Sequence, residues 1–364
     1  MEFGITFPSY IEAWKDAQVA EDKGFTHAWF YDSQLLYSDV YATMALAAEH
    51  TRSLKLGTLV AIPSNRIAPV TASAIATINY LAPGRAILGV GTGFTGRNTM
   101  GLPALPAAAM TEYVQQVRGL LNGEDVLLRE GDRERWIRLL HRDRADGFLN
   151  LDDEIPIYIA ANGPKAQASV GIAGDGWITT TGPPEAFELG FGNIAAAAQN
   201  AGRSPGESGV KPYTVILGMG CVLQPGESRT SDRVVQRLGW AAMPGMHAAW
   251  EAQYGPGSNL GLNAPEVAAA YKTYIDDYAD SKGSPEDRRY LDVHEGHLAY
   301  LKPGEEQFID EAALSRTFLG SPEEIVERLK GLEAAGVDNL AIQTVQGSAR
   351  ELIDEFSEHV IAKM

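Results

Sequence analysis

A (β/α)8 barrel of the TIM type is the fold class this sequence predicts, and two observations predict it. The chain has 364 residues, 45% of them hydrophobic, enough to bury one large core as a single domain spanning 1–364. Short β-rich runs alternate with stretches of helical period eight times over, the pattern of a parallel sheet covered by helices.

Each run is apolar and ends within a few residues of Pro, Gly, Asn or Asp, the residues that punctuate strands. FGIT (3–6) is followed by a helical stretch over 9–24, HAWFY (27–31) by 40–51, LKLGTLVAI (54–62) by 69–81 and AILGVGT (86–92) by 106–122. IPIYIAA (155–161) is followed by 164–174, GWITTT (176–181) by 184–201, YTVILGMGCVL (213–223) by 321–335, and NLAIQTV (339–345) by 348–362. Two segments fall outside this alternation and read as insertions. The first, about 123–153, carries a mixed-charge run read as a solvated surface element. The second, about 227–318, is rich in Gly, Pro and Tyr and too long for an ordinary loop, so it is expected to roof the C-terminal mouth as a lid.

A net charge of −17 opposes nucleic acid and anionic membrane surfaces as partners. Cysteine occurs once, at Cys221, which rules out a disulfide framework within the chain. The opening MEFGITFPSY lacks the basic and apolar regions of a signal peptide, and no segment reaches the roughly 18 apolar residues of a membrane span. A soluble cytoplasmic protein is the expectation.

Gly91, Gly93 and Gly96 show the G-x-G-x-x-G spacing of a dinucleotide fingerprint. That fingerprint belongs after the first strand of a βαβ unit, with an acidic residue at the tip of the next strand. Here the glycines end the fourth run, and Glu112, at the right distance, falls inside a helical stretch. Their position instead suggests room for a flat ligand against the backbone at the face where barrel active sites are built.

TASAIATINYLAPGRAILGVGTG (71–93), IPIYIAANGPKAQASVGIAGDGWITTTG (155–182) and FLGSPEEIVERLKGLEAAGVDNLAI (318–342) together resemble the luciferase-like flavin oxidoreductases. The resemblance is nearest to the branch that uses the 8-hydroxy-5-deazaflavin coenzyme (coenzyme F-420), represented by the methylenetetrahydromethanopterin reductases and the deazaflavin-dependent glucose-6-phosphate dehydrogenases. It covers roughly 1–122, 155–226 and 319–362. It implies a cofactor ring at the barrel mouth, backed by a bulge with a non-prolyl cis peptide at Leu59–Val60. It also implies phosphate binding by Asn162, Gly163 and Thr180. Gly163 before Pro164 can open a helix N-terminus, whose unpaired N–H groups favour an anion. Arg97, with Arg66 and Lys165, could neutralise an acidic cofactor tail.

The catalytic side departs from that dehydrogenase pattern. Where the pattern has Asp-His followed by Trp, this chain has Asp32, Ser33, Gln34 and Tyr37, and where it has a glutamate this chain has Phe94. Both proton-handling groups are replaced, which argues against sugar-phosphate oxidation. Asp32 could orient the ring or a substrate hydroxyl, while Ser33, Gln34, Tyr37 and Phe94 are candidate substrate contacts. His294 and His297, flanking Glu295, are candidate general acid–base groups projecting from the second insertion. Their spacing is not H-E-x-x-H and no third ligand is evident, so no metal is expected. His27 and His50 read as structural. The aromatics Phe94, Trp240, Trp250 and Tyr254 suggest an apolar or ring-bearing small-molecule substrate.

The resulting expectation is hydride transfer between deazaflavin and an organic substrate beneath the lid. The alternatives are an FMN-dependent two-component monooxygenase supplied by a separate flavin reductase, and a flavin-binding protein without catalysis. A homodimer is expected from the family.

Overall fold

A computed structural model of the chain describes residues 1–141, 147–203, 211–254, 272–274, 278 and 284–364, without the side chains of 252–254 and 286. Twelve strands are described: β1 Glu2–Phe7, β2 His27–Phe30, β3 Lys55–Thr58, β4 Ala86–Val90, β5 Val126–Glu130, β6 Arg133–Ile137, β7 Ile157–Ala160, β8 Gly176–Thr180, β9 Tyr213–Gly218, β10 Gly220–Val222, β11 Phe318–Gly320 and β12 Asn339–Gln343. Eight of them close a parallel barrel in the order β1-β12-β9-β8-β7-β4-β3-β2, and β1 meets β12 in register from Glu2↔Asn339 to Thr6↔Gln343. All eight predicted barrel strands are therefore present.

Strand alternation sorts the side chains. Trp29, Tyr31, Leu59, Ile87, Tyr158, Ile178, Val215 and Ala341 form the cluster inside the barrel. The opposite parity, including Phe3, Ile5, Phe30, Leu56, Leu88, Ile159, Ile216 and Ile342, packs outward into the main core with the helices. Among these helices, Ala13–Asp22 (α1), Val40–His50 (α2), Ala68–Leu81 (α3), the short Phe94–Asn98 (α4), Ala107–Leu121 (α5), Pro164–Ala173 (α6), Pro184–Asn200 (α7) and Asp232–Tyr254 (α8) come in chain order. Local signals explain several helix starts. Asp39 caps α2 by accepting from the N–H groups of Tyr41 and Ala42. The helix Pro322–Ala334 opens with a capping box between Ser321 and Glu324.

Most predicted strands end within two residues of their observed limits, but two end well short. The run 54–62 pairs regularly only as far as Thr58, whose hydroxyl donates to Gly89 O (2.7 Å) and accepts from Gly89 N (3.0 Å) in place of ladder bonds. A bulge follows, containing the cis peptide Leu59–Val60 that the resemblance implied, and pairing with β4 resumes at Ala61. The run 213–223 divides at Met219. Its second part, β10, leaves the barrel and pairs with β11, closing the base of the second insertion.

Barrel topology separates the two insertions. The first follows α5 and so lies at the end opposite the mouth, where β5 and β6 form an exposed antiparallel hairpin. The second follows β9, on the mouth side. It builds its own core from Leu238, Met243, Met246, Trp250, Tyr274, Val293 and Ile309. It also touches the mouth loops, where the Tyr37 hydroxyl donates to His297 O at 3.1 Å. Residues 142–146, 204–210 and 255–271, with the side chain of Tyr254, lie outside the described residues. No described helix is long and apolar enough to cross a membrane.

Candidate active site

The fingerprint-like glycines have a packing explanation. A Cβ on Gly91 would stand 2.5 Å from Val60 Cγ2, one on Gly93 2.5 Å from Ile62 Cγ2, and one on Gly96 2.6 Å from Ile62 Cδ1. The end of β4 is thus pressed against the β3 bulge. Gly93, at φ +82°, turns the chain into α4 in the left-handed region open to glycine.

Following the inward parity, two residues at a time, to the end of each strand gives the uppermost layer: Thr6, Tyr31, Leu59, Gly91, Ala160, Thr180, Leu217 and Gln343. Three of these hold polar atoms that are buried and unpartnered among the described residues: Thr6 Oγ1, the Tyr31 hydroxyl, and both ends of the Gln343 amide. Such atoms are costly to leave unsatisfied, by about 1–3 kcal/mol each, and their convergence beside the Leu59–Val60 bulge suits a flat heterocycle with a polar edge. Burial pushes the Tyr31 hydroxyl well above the usual phenol range, so it is present as a donor.

Asn162, Gly163 and Thr180 lie exposed at the ends of β7 and β8, and Gly163 is the N-cap of α6 with Pro164 next. The Thr179 hydroxyl donates to Asn162 Oδ1 at 2.9 Å. The three implied phosphate positions therefore share one corner of the mouth, with Lys165 exposed beside them. The other two cations are committed elsewhere. Arg97 Nε donates to Pro103 O at 2.5 Å. Arg66 binds both oxygens of Asp32 at 2.8 and 2.9 Å, and also binds Asp39. Burial would lower the Arg66 pKa, but its two carboxylate partners outweigh that and hold the guanidinium firmly charged.

Asp32 is 6% exposed and also accepts from Ile62 N at 3.3 Å, so it ties the β2 loop to the β3 bulge. Gln34 is a second tie. Its amide donates to Gly96 O at 2.5 Å, and its oxygen accepts from Asn65 Nδ2 at 2.7 Å. Ser33 and Phe94 are partly buried on the loops after β2 and β4. Asp32→Asn keeps the shape but removes the charge that holds Arg66. It is expected to cost about 2 kcal/mol in a urea unfolding measurement, less than a fully buried pair because Arg66 retains Asp39; an unchanged midpoint would contradict this.

His294 and His297 come together in the second insertion, each nearly fully buried, with His247 of α8 as a third imidazole. The expectation that no third ligand stands near them is corrected here, because His247 lies 50 positions from His297 in the chain. His297 Nδ1 is 2.7 Å from His247 Nδ1, and its Nε2 is 3.3 Å from Thr95 Oγ1 on α4. His294 Nε2 meets Glu251 Oε1 at 2.8 Å. Burial, reinforced by neighbouring positive charge, holds His247 and His297 neutral, well below the usual imidazole range. Trp240 and Trp250 are buried, Trp250 in the insertion core. His50 is exposed and stacks on Trp14, and His27 is buried at the other end of the barrel strands.

Comparison with known proteins places this geometry. The 5,10-methylenetetrahydromethanopterin reductase of Methanolobus tindarius is 36% identical over 218 residues, 58% of this chain and 64% of that protein. The F420-dependent hydroxymycolic acid dehydrogenase of Mycobacterium tuberculosis is 32% identical over 205 residues, 52% of this chain and 54% of that protein. Both matches thus span less than two thirds of the relatives' own length. The solved structure of the coenzyme F420-dependent tetrahydromethanopterin reductase from Methanopyrus kandleri superposes with a TM-score of 0.65 and 21% identity, covering 100% of this chain and 99% of that one. The profile of one family, described as luciferase-like monooxygenase, matches residues 7–339. With the closed barrel and the bulge at Leu59–Val60 in place, this chain belongs to the luciferase-like monooxygenase family.

Proposed function

We propose that this chain is a deazaflavin-dependent oxidoreductase acting on a small, apolar or ring-bearing substrate at the barrel mouth. The observation that carries the reading is the set of unpartnered polar atoms of Thr6, Tyr31 and Gln343 beside the Leu59–Val60 bulge. The F420-dependent relatives favour deazaflavin over FMN. When bound, a deazaflavin supplies a two-electron centre that takes or gives hydride.

The chain's own residues would do the rest. Leu59, Val60 and Gly91 form an apolar shelf for the ring, and Thr6, Tyr31 and Gln343 bond its edge. Asn162, Gly163 and Thr180 receive the anionic tail, helped by the α6 N-terminus and Lys165. Arg97 shapes the loop after α4 through its bond to Pro103. Asp32, locked by Arg66, sets the position of the β2 loop, from which Ser33 and Tyr37 face the substrate with Phe94 opposite; Gln34 holds the two loops together. His297 touches the mouth through Thr95 and is a positioning residue, orienting that hydroxyl. His294, paired with Glu251, supports it from behind. The second insertion excludes water, which strengthens every polar interaction beneath it.

Anaerobic calorimetric titration with deazaflavin and with FMN tests the reading. Deazaflavin is expected to bind at least tenfold more tightly than reduced FMN. Preference for reduced FMN would replace this reading with an oxygen-using monooxygenase fed by a separate reductase, and binding of neither would overturn both.

A further inference from the structure

We propose that His247, His294 and His297 bind one divalent transition-metal cation of the zinc class within the second insertion. One nitrogen from each ring can be chosen so that all three lie within 4.8 Å of one another, and all three residues are 1–2% exposed. Tetrahedral zinc with bonds of about 2.0–2.1 Å holds its ligand nitrogens about 3.3 Å apart. The 2.7 Å pair formed by His247 Nδ1 and His297 Nδ1 has to open slightly, and the third ring has to close in, both within the reach of small side-chain rotations.

Hydrogen bonding selects the ligand atoms. Glu251 takes the Nε2 proton of His294 and so leaves Nδ1 with a free lone pair. That Nδ1 is buried and unpartnered among the described residues. A carboxylate behind a ligating imidazole is the arrangement that fixes tautomer and raises basicity in metal sites. Thr95 accounts for Nε2 of His297 in the same way, leaving its Nδ1 turned towards His247.

The three imidazoles fill three positions of a tetrahedral cation and leave the fourth to a water molecule. Met243, Met246 and Trp250, on the same helix as His247, belong to the apolar core of the insertion around it. Lys302 is the nearby opposing charge. Its ammonium is engaged by Asp292 O at 2.6 Å, Val293 O at 3.3 Å and the Glu305 carboxylate at 3.3 Å. A cation here would staple α8 to the 294–297 segment, whose His297 carbonyl and ring receive Tyr37 and Thr95 from the mouth loops. The inference stands apart from the choice of redox cofactor.

The test uses the full chain, stripped by dialysis against a chelator and titrated with Co²⁺ and then Zn²⁺, with no cofactor present. One Co²⁺ per chain is expected, with the intense visible absorption of a four-coordinate site, displaced by one equivalent of Zn²⁺. His247→Gln and His294→Gln are each expected to weaken Zn²⁺ binding at least 100-fold. Glu251→Gln should weaken it about 10–100-fold, and His50→Ala not at all. Absence of stoichiometric binding, a weak octahedral Co²⁺ spectrum, or wild-type affinity in either histidine variant would overturn the proposal. Should a histidine variant fail to fold, the wild-type Co²⁺ spectrum and Glu251→Gln decide the matter.

Discussion

Gly89→Ala is expected to cost about 4 kcal/mol or more, close to the whole stability of many domains. A Cβ at this position would stand 2.1 Å from the backbone oxygen of Thr58 and 3.1 Å from Ile178 Cδ1. The first obstacle is main chain in the neighbouring barrel strand, held there by the Thr58 hydroxyl bonds to Gly89, so no rotamer change relieves it. Strands 3 and 4 would have to part just below the bulge that forms the proposed ring shelf. Gly331→Ala is the control. It lies exposed inside the helix Pro322–Ala334 with no atom within 4 Å of an added Cβ, and the same change there should gain about 0.5–1 kcal/mol. Urea unfolding of both variants reads the difference, and a Gly89 cost below about 1 kcal/mol would show that the strands relax freely.

His27 is expected to make the barrel acid-sensitive. The ring is fully buried, stacked on Trp29 at 5.5 Å, with Nδ1 near Thr26 Oγ1 (2.8 Å) and Asn339 Nδ2 (3.1 Å). Burial pushes its pKa down to about 4, against about 6.5 in an unfolded chain. Below pH 6.5 the unfolded chain takes up a proton that the folded chain refuses, so acid favours unfolding. The contribution is intact above pH 6.5 and falls by about 1.4 kcal/mol per pH unit towards pH 4, roughly 3 kcal/mol in all. His27→Gln cannot titrate. Its stability should decline less steeply between pH 6 and 4.5, and parallel curves for the two proteins would refute the assignment.

The strands were legible because each is a short apolar run ended by a turn former, and this local signal survives without tertiary context. The bulge after Thr58 and the exit of β10 were not, since both depend on a neighbour: Gly89 in one case, Phe318–Gly320 in the other. The site shows the same division. Asp32, Gln34 and Tyr37 sit on loops that strand order alone brings to the mouth. Their bonds could not be read, so Arg66 was expected to face the cofactor tail when it is bound by Asp32 and Asp39. Gln343 carried an overlooked signal, a polar side chain two residues after inward-facing Ala341 at the mouth end of its strand. His247 carried none, because its partners meet it only through the folding of the insertion.

The seam between β1 and β12 bears on how the protein is made. These strands pair from Glu2↔Asn339 to Thr6↔Gln343, so nearly the whole described chain lies between them. On the ribosome, β1 is synthesised long before β12 exists. Until β12 emerges, the nascent barrel is an open sheet whose unpaired edges, on β1 and β9, can template pairing with another chain. Closure then depends on contacts of very high sequence separation, the slowest kind to form. Yield in a cell should accordingly track chaperone supply during translation more closely than the stability of the finished barrel.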